Sequence, residues 1–95
     1  MTIYNSNFSN NGEGIHAEDA DGATGGTTTV EVNHTIVFSN TTGFVTLATG
    51  SVIRVANSTA FNNTTLFSAA PGTSVLSYGN NDTGGLAFGG PIGQN

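Results

Sequence analysis

Three stretches of this chain superimpose without a gap, and that repetition constrains the fold more than any other feature. They are Ile3-Tyr4-Asn5-Ser6-Asn7-Phe8-Ser9-Asn10-Asn11, Val32-Asn33-His34-Thr35-Ile36-Val37-Phe38-Ser39-Asn40 and Val55-Ala56-Asn57-Ser58-Thr59-Ala60-Phe61-Asn62-Asn63. Each continues to a large apolar residue at the same distance: Ile15, Phe44 and Phe67. The copies begin at Ile3, Val32 and Val55, so the first interval is longer than the second. A fourth, degraded copy runs Val75-Leu76-Ser77-Tyr78-Gly79-Asn80-Asn81. It follows the third at a shorter interval still, whether Val75 or the Asn pair is aligned. Val30 and Val32 flank Glu31, and Ile53 and Val55 flank Arg54. This period of two puts apolar side chains on one face of a strand and charged ones on the other. The spacing leaves no room for crossover helices. It suits a solenoid, in which each repeat buries its apolar face on its neighbours.

Composition agrees. Thr, Asn, Ser and Gly make up 49 of the 95 residues, while charged residues are only 7%. Uncharged hydrogen-bonding side chains suit turns and strand faces, and they serve helices poorly. Net charge is −5, and Arg54 is the only Lys or Arg. Phosphate-rich partners are bound by basic groups, so nucleic acid and anionic membrane surfaces are excluded as partners. Cysteine is absent, which removes disulfide and thiolate chemistry and leaves the redox compartment open. The first residues show neither the basic start nor the apolar stretch of a signal peptide, and no apolar run approaches a membrane span. The sequence therefore assigns no compartment.

The run Asn57-Ser58-Thr59-Ala60-Phe61-Asn62-Asn63, with its Thr-rich turn and following apolar residue, resembles the coils of pectin-lyase-like right-handed parallel β-helices. The Val75 to Asn81 stretch resembles the last coils of uncharacterised bacterial members. The likeness covers residues 2–16 and 28–83. It implies one all-β domain over residues 1–95, a short single-stranded right-handed parallel β-helix of about four coils. It implies no activity, because that fold hosts lyases, hydrolases, adhesins and phage tail spikes alike. The alternative fold is a β-sandwich of hairpins, for which Asn11-Gly12 and Asp21-Gly22 offer turns.

Stacking in register predicts columns of equivalent residues. Asn11, Asn40, Asn63 and Asn81 form a structural asparagine ladder in this reading, with amides bonded along the stack. Glu31 and Arg54 share one outward position and form an inter-coil ion pair worth about 0.2–1 kcal/mol. Ile15, Phe44 and Phe67 make one core column, and Phe8, Val37 and Ala60 a second. Phe38 and Phe61 fall one residue later, so they point outward and, with Tyr4, mark a candidate interface. Residues 17–27 form an acidic, Gly-rich insertion that accounts for the longer first interval. Its Glu18, Asp19 and Asp21 lack the EF-hand spacing and distal Glu, so no metal site is expected. Residues 84–95 form a Gly-rich tail whose Leu86, Phe88 and Ile92 suit it to capping one open end. The other end, with Ile3, Tyr4 and Phe8, has no comparable cover, so either the first coil meets a second subunit or further coils belong upstream of it.

Catalytic chemistry finds no foothold. The carboxylates and bases of the polysaccharide-active members have no matching positions here, Lys is absent, and His16 and His34 lie on different faces of the repeat. The sequence thus predicts a non-enzymatic, surface-presenting and self-associating module: a homo-oligomer, a dimer by rim or by face, without a cofactor. The alternative is a carbohydrate-binding or carbohydrate-degrading unit of a larger polysaccharide-active protein.

Overall fold

The computed structural model describes residues 1–18 and 28–84, which form ten strands and no helix. In chain order they are β1 (Thr2–Tyr4), β2 (Asn7–Ser9), β3 (Glu13–Ala17), β4 (Thr29–Asn33), β5 (Ile36–Phe38), β6 (Thr42–Thr46), β7 (Val52–Ala56), β8 (Thr59–Phe61), β9 (Thr65–Ala69) and β10 (Ser74–Ser77). Every third strand pairs, always in parallel, giving three sheets: β1-β4-β7-β10, β2-β5-β8 and β3-β6-β9. The chain visits the sheets in fixed order, and one visit to each is called a pass below. The parallel pairing overturns the hairpin sandwich. Asn11-Gly12 leads from β2 to β3, which lie in different sheets.

The register matches the first three copies: Ile3 lies opposite Val32, and Val32 opposite Val55. The fourth copy needs correction. Val75 lies opposite Ile53, and Ser77 opposite Val55, so Val75 does not take the place of Val55. Thr59 then pairs with Asp82, at the same interval that separates the second copy from the third. The shorter interval expected came from matching Val75 with Val55 or Asn with Asn. Register is set instead by which residues face inward, and fully buried Ser77 takes the core position of Val55.

Connections within a pass are short and constant. Two residues join the first sheet to the second, and three join the second to the third, in all three complete passes. Asn5, His34 and Asn57 take the left-handed backbone region in the first of these turns, with φ of 54°, 49° and 49°. Asn10, Ser39 and Asn62 do so in the second, with φ of 61°, 56° and 59°. Asn and His tolerate this region because their short polar side chains bond locally, so these turns explain the Asn-rich repeat. The return from third sheet to first shortens from pass to pass, spanning 18–28, then 47–51, then 70–73. Ala17, expected in the insertion, belongs to β3. It pairs with Thr46 and is buried. Residues 19–27 and 85–95 lie outside the described residues, and with them the expected acidic loop and cap.

The core runs between the three sheets. Val30, Val32, Ile53, Val55 and Val75 fill it from the first sheet. Phe8, Val37 and Ala60 shrink from pass to pass, while Ile15 gives way to phenylalanine at 44 and 67. The larger ring of Phe44 stands where the first pass has Ile15, opposite the smaller Val37 that replaces Phe8, an exchange that suits a close-packed interior.

Candidate functional site

Two polar columns hold the turns, and both run in one direction. In the first turn, the Ser6 N–H donates to Thr35 Oγ1 (3.4 Å), Thr35 N–H to Ser58 Oγ (3.1 Å) and Ser58 N–H to Asn81 Oδ1 (2.8 Å). Each hydroxyl in turn donates to the carbonyl two residues before it: Ser6 to Tyr4, Thr35 to Asn33, Ser58 to Ala56. Thr35 and Ser58 are buried, and buried hydroxyls are retained only when bonded in this way.

The second turn carries the asparagines. Asn11 N–H donates to Asn40 Oδ1 (3.0 Å), and Asn40 N–H to Asn63 Oδ1 (3.0 Å). Asn40 Nδ2 donates to Asn63 Oδ1 (3.1 Å) and to the Phe8 carbonyl (3.2 Å), and Asn63 Nδ2 to the Val37 carbonyl (3.1 Å). Asn81 is not part of this column. Its place is under Ser58 in the first turn, and its Nδ2 donates to Val55 O and Ser77 Oγ. The same register shift that moved Val75 moved Asn81 with it.

Outside, Arg54 Nη1 meets Glu31 Oε2 at 3.1 Å, with both side chains 40% exposed. Exposed pairs of this kind contribute about 0.2–1 kcal/mol. Phe38 and Phe61 stack on the outer face of the second sheet, ring centroids 5.1 Å apart and 7° from parallel. Phe61 and the neighbouring Ile36 are both exposed. Tyr4 is exposed too, yet it belongs to the first sheet and packs on His34, centroids 5.3 Å apart. The three aromatics expected together therefore divide between two sheets.

His16 carries a charge cluster that sequence reasoning missed. Its Nδ1 lies 2.6 Å from Glu13 Oε1 and its Nε2 2.8 Å from Glu18 Oε1. The bond to Glu13 raises the imidazole pKa above its ordinary value, burial opposes this, and Glu18 adds to the rise. A protonated ring donates from both nitrogens, so both carboxylates are satisfied only in the charged form. The contribution is complete below the ordinary histidine pKa and is lost as pH rises through the raised folded value. We expect the wild-type urea midpoint to fall relative to that of His16→Gln between about pH 6 and pH 8. With all three groups a third to a half exposed, the difference stays below about 1 kcal/mol. A difference independent of pH would show that the clamp does not titrate. Among the described residues, no group of three His, Asp or Glu side chains is arranged to hold a metal ion.

No family model, curated protein or solved structure matches this chain.

Proposed function

We propose that the chain is a right-handed parallel β-helix of about four coils, each pass being one coil, and that it works as a non-enzymatic surface-presenting module that self-associates. Parallel strands joined through a crossover are right-handed in about 98% of cases, which supports the handedness. The Phe38–Phe61 stack beside exposed Ile36 carries the functional reading, since aromatic and aliphatic groups grouped on an outer face mark contact surfaces. The engagement of the described carboxylates supports a role without catalysis. Glu13 and Glu18 hold His16, Glu31 holds Arg54, and Asp82 Oδ1 accepts the Gly84 N–H. The resemblance to pectin-lyase-like proteins extends to this fold and not to their chemistry.

Light scattering over a wide concentration range tests the reading. The apparent mass is expected to rise above that of the monomer, with no release of reducing sugar from polysaccharides. A concentration-independent monomer overturns self-association, and sugar release overturns the non-enzymatic role.

One observation favours a carbohydrate-binding reading. Phe61 borders a hollow of about 160 Å³ that Asn62, Asn63 and Thr83 also line, an aromatic ring beside amide and hydroxyl groups. A glycan array gives the answer: binding lost in Phe61→Ala favours this second reading, and an empty array removes it.

A further inference from the structure

Resting on the self-association proposed above, we infer that two copies of this chain meet face to face through the outer side of the second sheet, related by a two-fold axis parallel to its strands. Such an axis reverses the order of the passes, so the level of Asn7 in one copy faces the level of Asp82 in the other. The register defines what this face presents. Asn7, Ile36, Thr59 and Asp82 form one outward column, and Ser9, Phe38 and Phe61 form the other. Phe8, Val37 and Ala60, which lie between the two columns, pack into the core. The middle of the face is apolar: the stacked rings of Phe38 and Phe61 stand beside exposed Ile36. Asn7 at one end and Asp82 at the other are both exposed.

Charge selects both the face and the orientation. Among the described residues, Glu31 and Arg54 stand on the first sheet, and Glu13 and His16 on the third with Glu18 directly after it. Only Asp82 brings a charge to the second sheet. In a chain of net charge −5, this is the side on which two identical copies repel least. Pairing equal levels would bring the two Asp82 carboxylates together at one end of the interface. Reversal separates them by three levels of about 4.8 Å and sets each opposite Asn7 of the other copy. Asp82 Oδ1 already accepts the Gly84 N–H, and a carboxylate has further lone pairs for the Asn7 amide. The same reversal lays Phe38 against Phe61 of the other copy and Ile36 against Thr59, so the two aromatic stacks merge into one cluster of four rings. Four levels of two outward residues fall short of the roughly 800 Å² per partner of a standard interface, so the dimer is weak and concentration-dependent.

Sedimentation equilibrium of the full chain tests the face and the orientation separately. Phe61→Asp, in the middle of the face, should weaken the dimer tenfold or more. Asn7→Lys should tighten it about fivefold, because packed sheets lie about 10 Å apart and a lysine there reaches Asp82 of the other copy. That gain should disappear when Asp82→Asn is added, which separates pairing from the general fall in net charge. Should Phe61→Asp fail to fold by circular dichroism, the Asn7→Lys and Asp82→Asn cycle decides alone. A gain that persists without Asp82, or a dimer weakened by Asn7→Lys, overturns the reversed arrangement. A dimer indifferent to Phe61→Asp overturns the face and leaves self-association standing. A wild-type chain that is monomeric at every concentration overturns both, and a urea midpoint then lowered by Phe61→Asp would show that the chain covers this face itself.

Discussion

Replacing Asn40 by leucine lowers the stability of this protein by about 3 kcal/mol, a large share of the roughly 5–14 kcal/mol expected for a domain of this length. The side chain is 1% exposed, and nothing from solvent replaces its bonds. Leucine keeps the approximate volume and deletes the acceptor for the Asn11 N–H and the donors to the Phe8 carbonyl and Asn63 Oδ1. A buried group left without a partner costs about 1–3 kcal/mol, and the effects within one network are not additive. Thermal unfolding followed by circular dichroism should show a midpoint lower by roughly 12–24 °C. Asn11→Leu is the comparison. Asn11 is exposed and bonds to the next pass through its backbone N–H and carbonyl, both of which leucine retains, so its midpoint should move little. Equal losses in the two variants would mean that the column does not stabilise the stack.

Adding a single methyl group to Gly43 is expected to cost about 2–3 kcal/mol. A β-carbon there would stand 2.7 Å from the Leu66 carbonyl oxygen and 3.2 Å from Asn63 Nδ2. The first contact is with backbone of the paired strand β9, which cannot move without breaking the ladder, and the second is with the asparagine column. Gly12→Ala supplies the control, because a β-carbon there meets nothing within 4 Å. Its urea midpoint should stay within about 0.5 kcal/mol of wild type. A Gly43→Ala variant as stable as Gly12→Ala would show that the close approach relaxes freely.

Much of this was legible in the sequence, and the boundary of legibility has a physical cause. The three gapless copies fixed the parallel register because equivalent residues face the same surroundings in each pass. His34 could be placed in the Asn5 and Asn57 column because all three meet one backbone requirement, a positive φ. The fourth copy was misread for the opposite reason. Ser77 occupies an apolar position and Asn81 a hydroxyl position, so residue type no longer tracked environment. The close approach at Gly43 left no signal, since the third-pass residue that aligns with Gly14 and Gly43 is Leu66. The clamp on His16 was hidden as well. Glu18 read as part of the acidic insertion, and only the strand geometry of β3 brings its carboxylate and that of Glu13 to one imidazole.

The unequal return segments make this molecule a frame with one permissive corner. Two corners of every complete pass keep one length and carry a left-handed residue, while the third has accepted returns of three different lengths without disturbing the ladder. Lengthening a surface segment is cheap, about 0.6 kcal/mol per doubling, so this corner accepts foreign sequence where the others would not. Because successive levels lie about 4.8 Å apart, loops grafted there would stand shoulder to shoulder along one border, close enough to act as a single composite paratope.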